Sequence, residues 1–204
     1  ILSSIGINVE RDEAEIDFNK YIKERIVLNN LGDVIRRSSG GITDDDAFNI
    51  DLAKELKKAP KDQLLPLFIG QDKSGVVKYI IPLRGKGLWG PIWGFISLEE
   101  DLNTVFGAVF DHKSETPGLG AEINQYEAFQ KQFNDGKNKK KILDGTKVVS
   151  IKVIKGGAPK NDVHGVDGIS GGTITSDGVT DMLKERLSMY APYFKKKIEN
   201  TLKD

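Results

Sequence analysis

The sequence predicts an α+β fold: a single domain with a twisted, largely antiparallel β-sheet and flanking helices. Three observations carry this expectation. Strand-like segments follow one another through the middle of the chain with only short turns between them, which leaves no room for the crossover helices of a parallel sheet. Helical segments lie before, between and after that block rather than alternating with each strand, the pattern of α+β and not of doubly wound folds. At 204 residues, 38% hydrophobic and 29% charged, the chain has the size and composition of one globular domain.

In chain order, Arg11 to about Lys23 is charged with Ile16, Tyr21 and Ile22 interspersed, and predicts a short helix. Glu24–Leu28 and Asp33–Arg36 bracket Asn29-Asn30-Leu31-Gly32, a hairpin signal. Ser38 to Gly41 is a loop. Thr43 is expected to cap a helix, with Asp44, Asp45 and Asp46 in its first turn and Phe48, Leu52 and Leu56 on one face, until Pro60 stops it. Gln63–Gly70 and Val76–Leu83 read as strands around an Asp72–Gly75 turn. A glycine-dense stretch containing both tryptophans, Arg84 to Gly94, leads into strands Phe95–Leu98 and Val105–Phe110. Glu122–Phe133 predicts a helix with Tyr126, Phe129 and Phe133 on one side, and Asp135–Lys141 a basic loop. Val148–Ile154 alternates as a half-buried strand does, with Val149, Ile151 and Val153 on one face. A helix from Asp177 to Tyr190 follows, and Pro192 starts a further basic segment, Phe194–Leu202. Residues 1–10 are expected to be a tether and 11–204 the domain. Because the sequence opens at Ile1 and not Met, an N-terminal segment is expected to have been removed.

Composition removes several functions. Thirty Lys and Arg balance thirty Asp and Glu, so no basic surplus points to nucleic acid. The chain has no cysteine, which excludes disulfides, thiolate zinc sites and cysteine-held iron–sulfur clusters. His112 and His164 show no metal-ligand spacing. No apolar run approaches the roughly 20 residues of a membrane-spanning helix. No paired carboxylates or Ser/His/Asp pattern suggests acid–base or nucleophilic catalysis by the chain itself.

The stretch with chemical content is Asp167-Gly168-Ile169-Ser170-Gly171-Gly172-Thr173-Ile174-Thr175-Ser176-Asp177-Gly178-Val179. Glycines let a ligand approach the backbone, and hydroxyls and free N–H groups at a helix N-terminus suit a phosphate. By itself the stretch reads first as a capped loop before an ordinary helix. Two further glycine-punctuated segments change its meaning: Gly85–Gly94, which presents Trp89, and His112–Gly120, which presents Leu119 between Gly118 and Gly120. An aromatic and a leucine on bare loops can flank a planar ring. A phosphate at one end and a planar ring at the other describes flavin mononucleotide (FMN).

Ser170-Gly171-Gly172-Thr173-Ile174-Thr175 resembles the Ser-Gly-Ala-Thr-x-Thr motif of the covalent FMN-binding domain family, and Glu115-Thr116-Pro117-Gly118-Leu119-Gly120 is similar to its second motif, in the same order and spacing. The resemblance covers about residues 75–190 and is weaker in the N-terminal third. Within the family, Gly85–Trp89, Lys155–Pro159 and His164–Gly168 carry a narrower likeness to the C subunits of sodium-translocating NADH:quinone oxidoreductases. The G subunits of the related Rnf ferredoxin:NAD+ oxidoreductases come second, and a cofactor-free binding module with the same fold is the reading from a different class.

The resemblance implies one FMN joined by a phosphoester to Thr175, installed by a separate flavin transferase that uses FAD. It implies Ser170, Gly171, Gly172, Thr173 and Ser176 around the phosphate and ribityl chain. Leu119, Trp89 and its neighbour Leu88 would lie against the ring, with Gly118 shaping the loop. Glu115 and Thr116 are expected to hydrogen-bond nearby, and Lys155 to place a positive charge there. It further implies that the domain carries electrons toward quinone beside other subunits of the complex, while NADH is oxidised elsewhere. The domain would lie on the periplasmic side of the bacterial inner membrane, behind an N-terminal transmembrane helix. The one departure from the motif is Gly172, where the family usually has alanine.

Overall fold

A computed structural model describes residues 1–134, 136 and 138–201. A turn of 3-10 helix, Arg11–Glu13, runs into α1 (Ala14–Tyr21), followed directly by β1 (Ile22–Leu28) and β2 (Val34–Ser38). The 3-10 turn Ala47–Asn49 and α2 (Leu52–Glu55) precede β3 (Leu65–Gln71), β4 (Val77–Lys86), β5 (Pro91–Leu98) and β6 (Val105–His112). Short strands β7 (Leu143–Asp144), β8 (Lys147–Val148), β9 (Lys152–Ile154) and β10 (Gly165–Asp167) lead to the long helix α3 (Thr173–Thr201).

Strands β1 to β6 form one sheet in the order β2-β1-β3-β4-β5-β6, and every neighbouring pair is antiparallel. The short turns foreseen between these strands make that the cheapest topology, since a hairpin needs no crossover. The β9–β10 pair is parallel. Alternate side chains enter two cores, because successive residues of a strand point to opposite faces. On one face Leu67, Ile81, Leu83 and Ile96 pack with Val179, Met182, Leu183 and Leu187 of α3. On the other, Phe68 and Ile80 pack with Leu2, Ile5, Ile7, Phe18 and Ile22. Tyr190 fixes α3 to the sheet by donating its buried hydroxyl to the Pro66 carbonyl at 2.7 Å.

Five expectations are corrected. Residues 1–10 are not a bare tether, because Leu2, Ile5 and Ile7 are buried in the second core. The helix expected from Thr43 is broken into the Ala47–Asn49 turn and α2. Asp46 is the reason: its carboxylate is held by the buried Arg25 Nε at 2.8 and 2.9 Å and also caps Phe48 N. Asp45 is engaged by Arg36, and Asp51 caps α2.

The helix expected over Glu122–Phe133 is two 3-10 turns, Ala121–Asn124 and Gln130–Phe133. Buried Gln130 donates to the carbonyls of Phe110 and Ile123, both at 3.0 Å. Phe129 and Phe133 pack around Phe110 while Tyr126 faces solvent. The strand expected over Val148–Ile154 is divided where Val149 and Ser150 both donate to the Ile142 carbonyl and Ser150 takes a φ of 65°. Finally, α3 starts at Thr173 and runs through Pro192 without a break. Burial of Tyr190, Tyr193 and Phe194 on both sides of the proline holds it in helix. Part of the basic loop at Asp135–Lys141, and Leu202 at the end of the basic segment, lie outside the described residues.

Candidate cofactor site

Three connections meet at the start of α3. The first is the tip of the β4–β5 hairpin, Gly87-Leu88-Trp89-Gly90, closed by Gly87 N donating to Gly90 O at 2.8 Å. The second is the segment after β6, residues 113–120. The third is the loop 168–172, whose Gly172 carbonyl accepts the Ser176 N–H at 2.9 Å and so begins the helix. Thr173, Ile174 and Thr175 are therefore its first three residues, whose N–H groups have no carbonyl within the helix to bond.

Glu115 joins all three. Its side chain is buried. Oε1 accepts the Trp89 N–H at 2.9 Å, and Oε2 accepts the Leu88 N–H at 3.2 Å and the Thr175 hydroxyl at 2.5 Å. Its own N–H donates to His112 Nδ1 at 3.1 Å. Burial pushes the carboxyl's pKa up, but the bonds from Thr175, Trp89, Leu88 and Gly90 outweigh burial and hold it below the ordinary glutamate value. Glu115 is thus ionised at neutral pH.

Glu122 braces the covering loop. Its carboxylate accepts Gly118 N at 2.6 Å and Gly120 N at 3.3 Å, and the Gly118 bond leads the effects that lower its pKa. Gly120 has a φ of 134°, and a Cβ there would overlap the Thr175 side chain. Gly171 has a φ of 79°, and a Cβ there would meet the Gly118 carbonyl. Neither position admits a side chain without moving one loop off the other.

The arrangement sharpens several expected roles. Thr175 lies inside the first turn of α3, not ahead of it, and is fully buried with its hydroxyl turned to Glu115. Ser176, expected beside the phosphate, is turned inward: its Oγ accepts the Ile169 N–H at 3.2 Å, so it braces the loop. Ser170 and Gly171 are exposed and Thr173 is half-buried. Lys155 lines a cleft of about 480 Å³ with Gly157, Asp167, Ser170, Gly171 and Thr173, so it stands beside the first half of the motif. Thr116 is exposed, and its carbonyl accepts the N–H of Leu119 and of Ala121. Gly172 lies 3.0 Å from Gly120 as measured from an added Cβ, so the family's usual alanine would need that contact to yield slightly.

Trp89, Leu119 and Ile174 are 63%, 41% and 58% exposed. Each sits on or next to a residue of the Glu115–Thr175 junction. Large apolar side chains held out on short loops beside buried polar contacts mark a ligand surface. Ile174, Glu122 and His112 were not foreseen as site residues. Ile174 occupies the variable position of the motif, which offered a signal. Glu122 and His112 act through backbone groups, which leave none.

The residues present fit FMN. The N-terminus of a 29-residue helix favours an anion, Ser170 and Thr173 offer hydroxyls, and three exposed apolar side chains offer faces for a ring. The ionised Glu115 opposes an anion at the Thr175 oxygen, and the first-turn N–H groups offset it.

The family model described as FMN-binding domain matches residues 87–188. The chain is 34% identical over 195 residues to the C subunit of the Na(+)-translocating NADH-quinone reductase of Vibrio campbellii, covering 88% of this chain and 72% of that one. It is 36% identical over 199 residues to the corresponding protein of Vibrio anguillarum, covering 88% and 71%. Among solved structures, the C subunit of the Na(+)-translocating NADH-quinone reductase from Parabacteroides distasonis superposes with a TM-score of 0.81 at 41% identity, over 95% of this chain and 88% of that one. NqrC of Shewanella oneidensis superposes with a TM-score of 0.74 at 26% identity, over 98% and 94%.

Proposed function

Because the chain belongs to the family of Na(+)-translocating NADH-quinone reductase C subunits and carries an FMN-binding domain, we propose that it bears one FMN joined by a phosphoester to Thr175 and carries electrons within that reductase. The observation that supports Thr175 most directly is its place in the first turn of α3, where three loops converge and Trp89, Leu119 and Ile174 stand exposed around it.

When bound, FMN supplies reversible one- and two-electron chemistry that no side chain of this cysteine-free chain offers. The protein's residues bind and orient it. The start of α3 supplies N–H groups and a favourable dipole for the phosphate. Ser170 and Thr173 are proposed to hydrogen-bond the phosphate and ribityl chain, with Gly171 and Gly172 leaving the backbone open to approach. Trp89, Leu88 and Leu119 are proposed to shield the ring from water, and Lys155, in the cleft with Ser170, Gly171 and Thr173, to set a positive charge near the flavin. Glu115, ionised and anchored, keeps the Trp89 loop in register with α3. Thr116 and Gly118 shape the loop that carries Leu119. Ser176 acts from below, by holding Ile169.

NADH oxidation is assigned to other subunits, and electrons leave this one toward quinone. The proposal places the domain on the periplasmic face of the bacterial inner membrane, behind an N-terminal transmembrane helix. No described helix is long and apolar enough to cross a membrane. Attachment is proposed to need a flavin transferase, since a threonine hydroxyl is a weak nucleophile. The relatives named above favour the sodium-translocating reductase over the ferredoxin-linked Rnf complex.

Co-expression with a flavin transferase tests the reading. The denatured wild-type band is expected to fluoresce as flavin, and protein made without the transferase is expected not to. A dark band with the transferase would contradict covalent attachment, and fluorescence without it would contradict the need for the transferase.

A further inference from the structure

The hydroxyl proposed to carry the cofactor already donates to an ionised carboxylate. Thr175 Oγ1 lies 2.5 Å from Glu115 Oε2, against 3.4 Å to the Leu119 carbonyl. Glu115 is held by Leu88 N, Trp89 N and, through its own N–H, His112 Nδ1. Those anchors belong to the 87–90 turn and to the end of β6. They do not belong to residues 116–120, the segment whose Gly120 lies over Thr175. Withdrawal of that segment would uncover Oγ1 and leave the carboxylate in place.

We propose that Glu115 is the base that accepts the Thr175 proton as the phosphoester forms, so that the acceptor protein supplies its own general base. This rests on the reading that FMN is joined at Thr175. Thr175 Oγ1 attacks the flavin-side phosphorus of the FAD pyrophosphate. The Oγ1–P bond forms, the P–O bond to adenosine monophosphate breaks with its electron pair leaving on that nucleotide, and the hydroxyl proton passes to Glu115 Oε2. Nothing is oxidised or reduced. Protein kinases use a carboxylate in the same way, with an Asp accepting the proton of the attacking hydroxyl during phosphoryl transfer. Taking up the proton also neutralises Glu115 at the moment a phosphodiester charge arrives beside it, which removes the repulsion noted above.

The test is single-turnover flavin incorporation into full-length unmodified chain by flavin transferase and FAD, read by intact mass, together with thermal melting of each unmodified variant. E115Q is expected to incorporate flavin at least about 100-fold more slowly than wild type, the lower end of what general-base catalysis contributes. E115D, which keeps a carboxylate, should stay within about tenfold, and added formate should accelerate E115A. E115Q at the wild-type rate, or E115D as slow as E115A, overturns the proposal. If melting shows E115Q unfolded, E115D and formate rescue of E115A decide the matter. Flavin on T175A would overturn the attachment reading instead, so the two failures are distinct.

Discussion

Glu115 is the residue on which the site turns, because its two oxygens accept the N–H groups of Leu88 and Trp89 and the Thr175 hydroxyl. Its carboxyl titrates below the ordinary value of 4.5. A carboxyl with a lowered folded-state pKa adds stability that is complete above its unfolded value and is lost as pH falls through the folded one. Acid should therefore loosen the Trp89 turn from α3. Urea unfolding at about pH 7 and about pH 3 is expected to show a smaller acid loss in E115Q than in wild type. An equal loss would mean that Glu115 is not among the groups responsible. Gly171 makes a second residue-scale prediction. With a φ of 79° and the Gly118 carbonyl in the way of a Cβ, Gly171→Ala should cost about 1–3 kcal/mol. Chemical denaturation of the purified variant measures it.

At the scale of elements, the hairpins were legible and two helices were not. Asn29–Gly32 and Asp72–Gly75 contain their own turn chemistry, and Asp72 accepts from Ser74 and Val76 as such turns require. The segments after Thr43 and after Glu122 have helical periodicity, but distant partners claim their polar side chains. Asp46 belongs to Arg25, 21 residues away, and Glu122 turns back to the glycine loop. Periodicity does not reveal such claims. The Arg25–Asp46 pair has no exposed side-chain surface on either partner, so Asp46→Ala strands a buried charge. It should cost about 3–5 kcal/mol, seen as a lowered melting temperature. A loss below about 1 kcal/mol would place this pair among those that contribute little. The start of α3 was misplaced for a related reason. Threonine and isoleucine at Thr173–Thr175 read as loop, yet Gly172 opens the helix and Ser176 ties it to Ile169.

For the molecule as a whole, the sheet and α3 bring together residues 60 apart in sequence, Glu115 and Thr175, at one end of the α3-covered core. The sequence placed the three loops and named most of the residues that meet there. It did not show that Thr175 is buried beneath Gly120, or that the exposed surface is shared among Trp89, Leu119 and Ile174, since burial depends on how the loops fold onto one another. Covalent FMN at Thr175 is the central claim, and it makes this chain a carrier of electrons and not a binder of free flavin. The most direct test is the intact mass of wild type and Thr175→Ala, each co-expressed with a flavin transferase and denatured. Wild type should gain the mass of one FMN less one water, and Thr175→Ala should gain nothing. An equal gain in both proteins, or no gain in wild type, would contradict the claim.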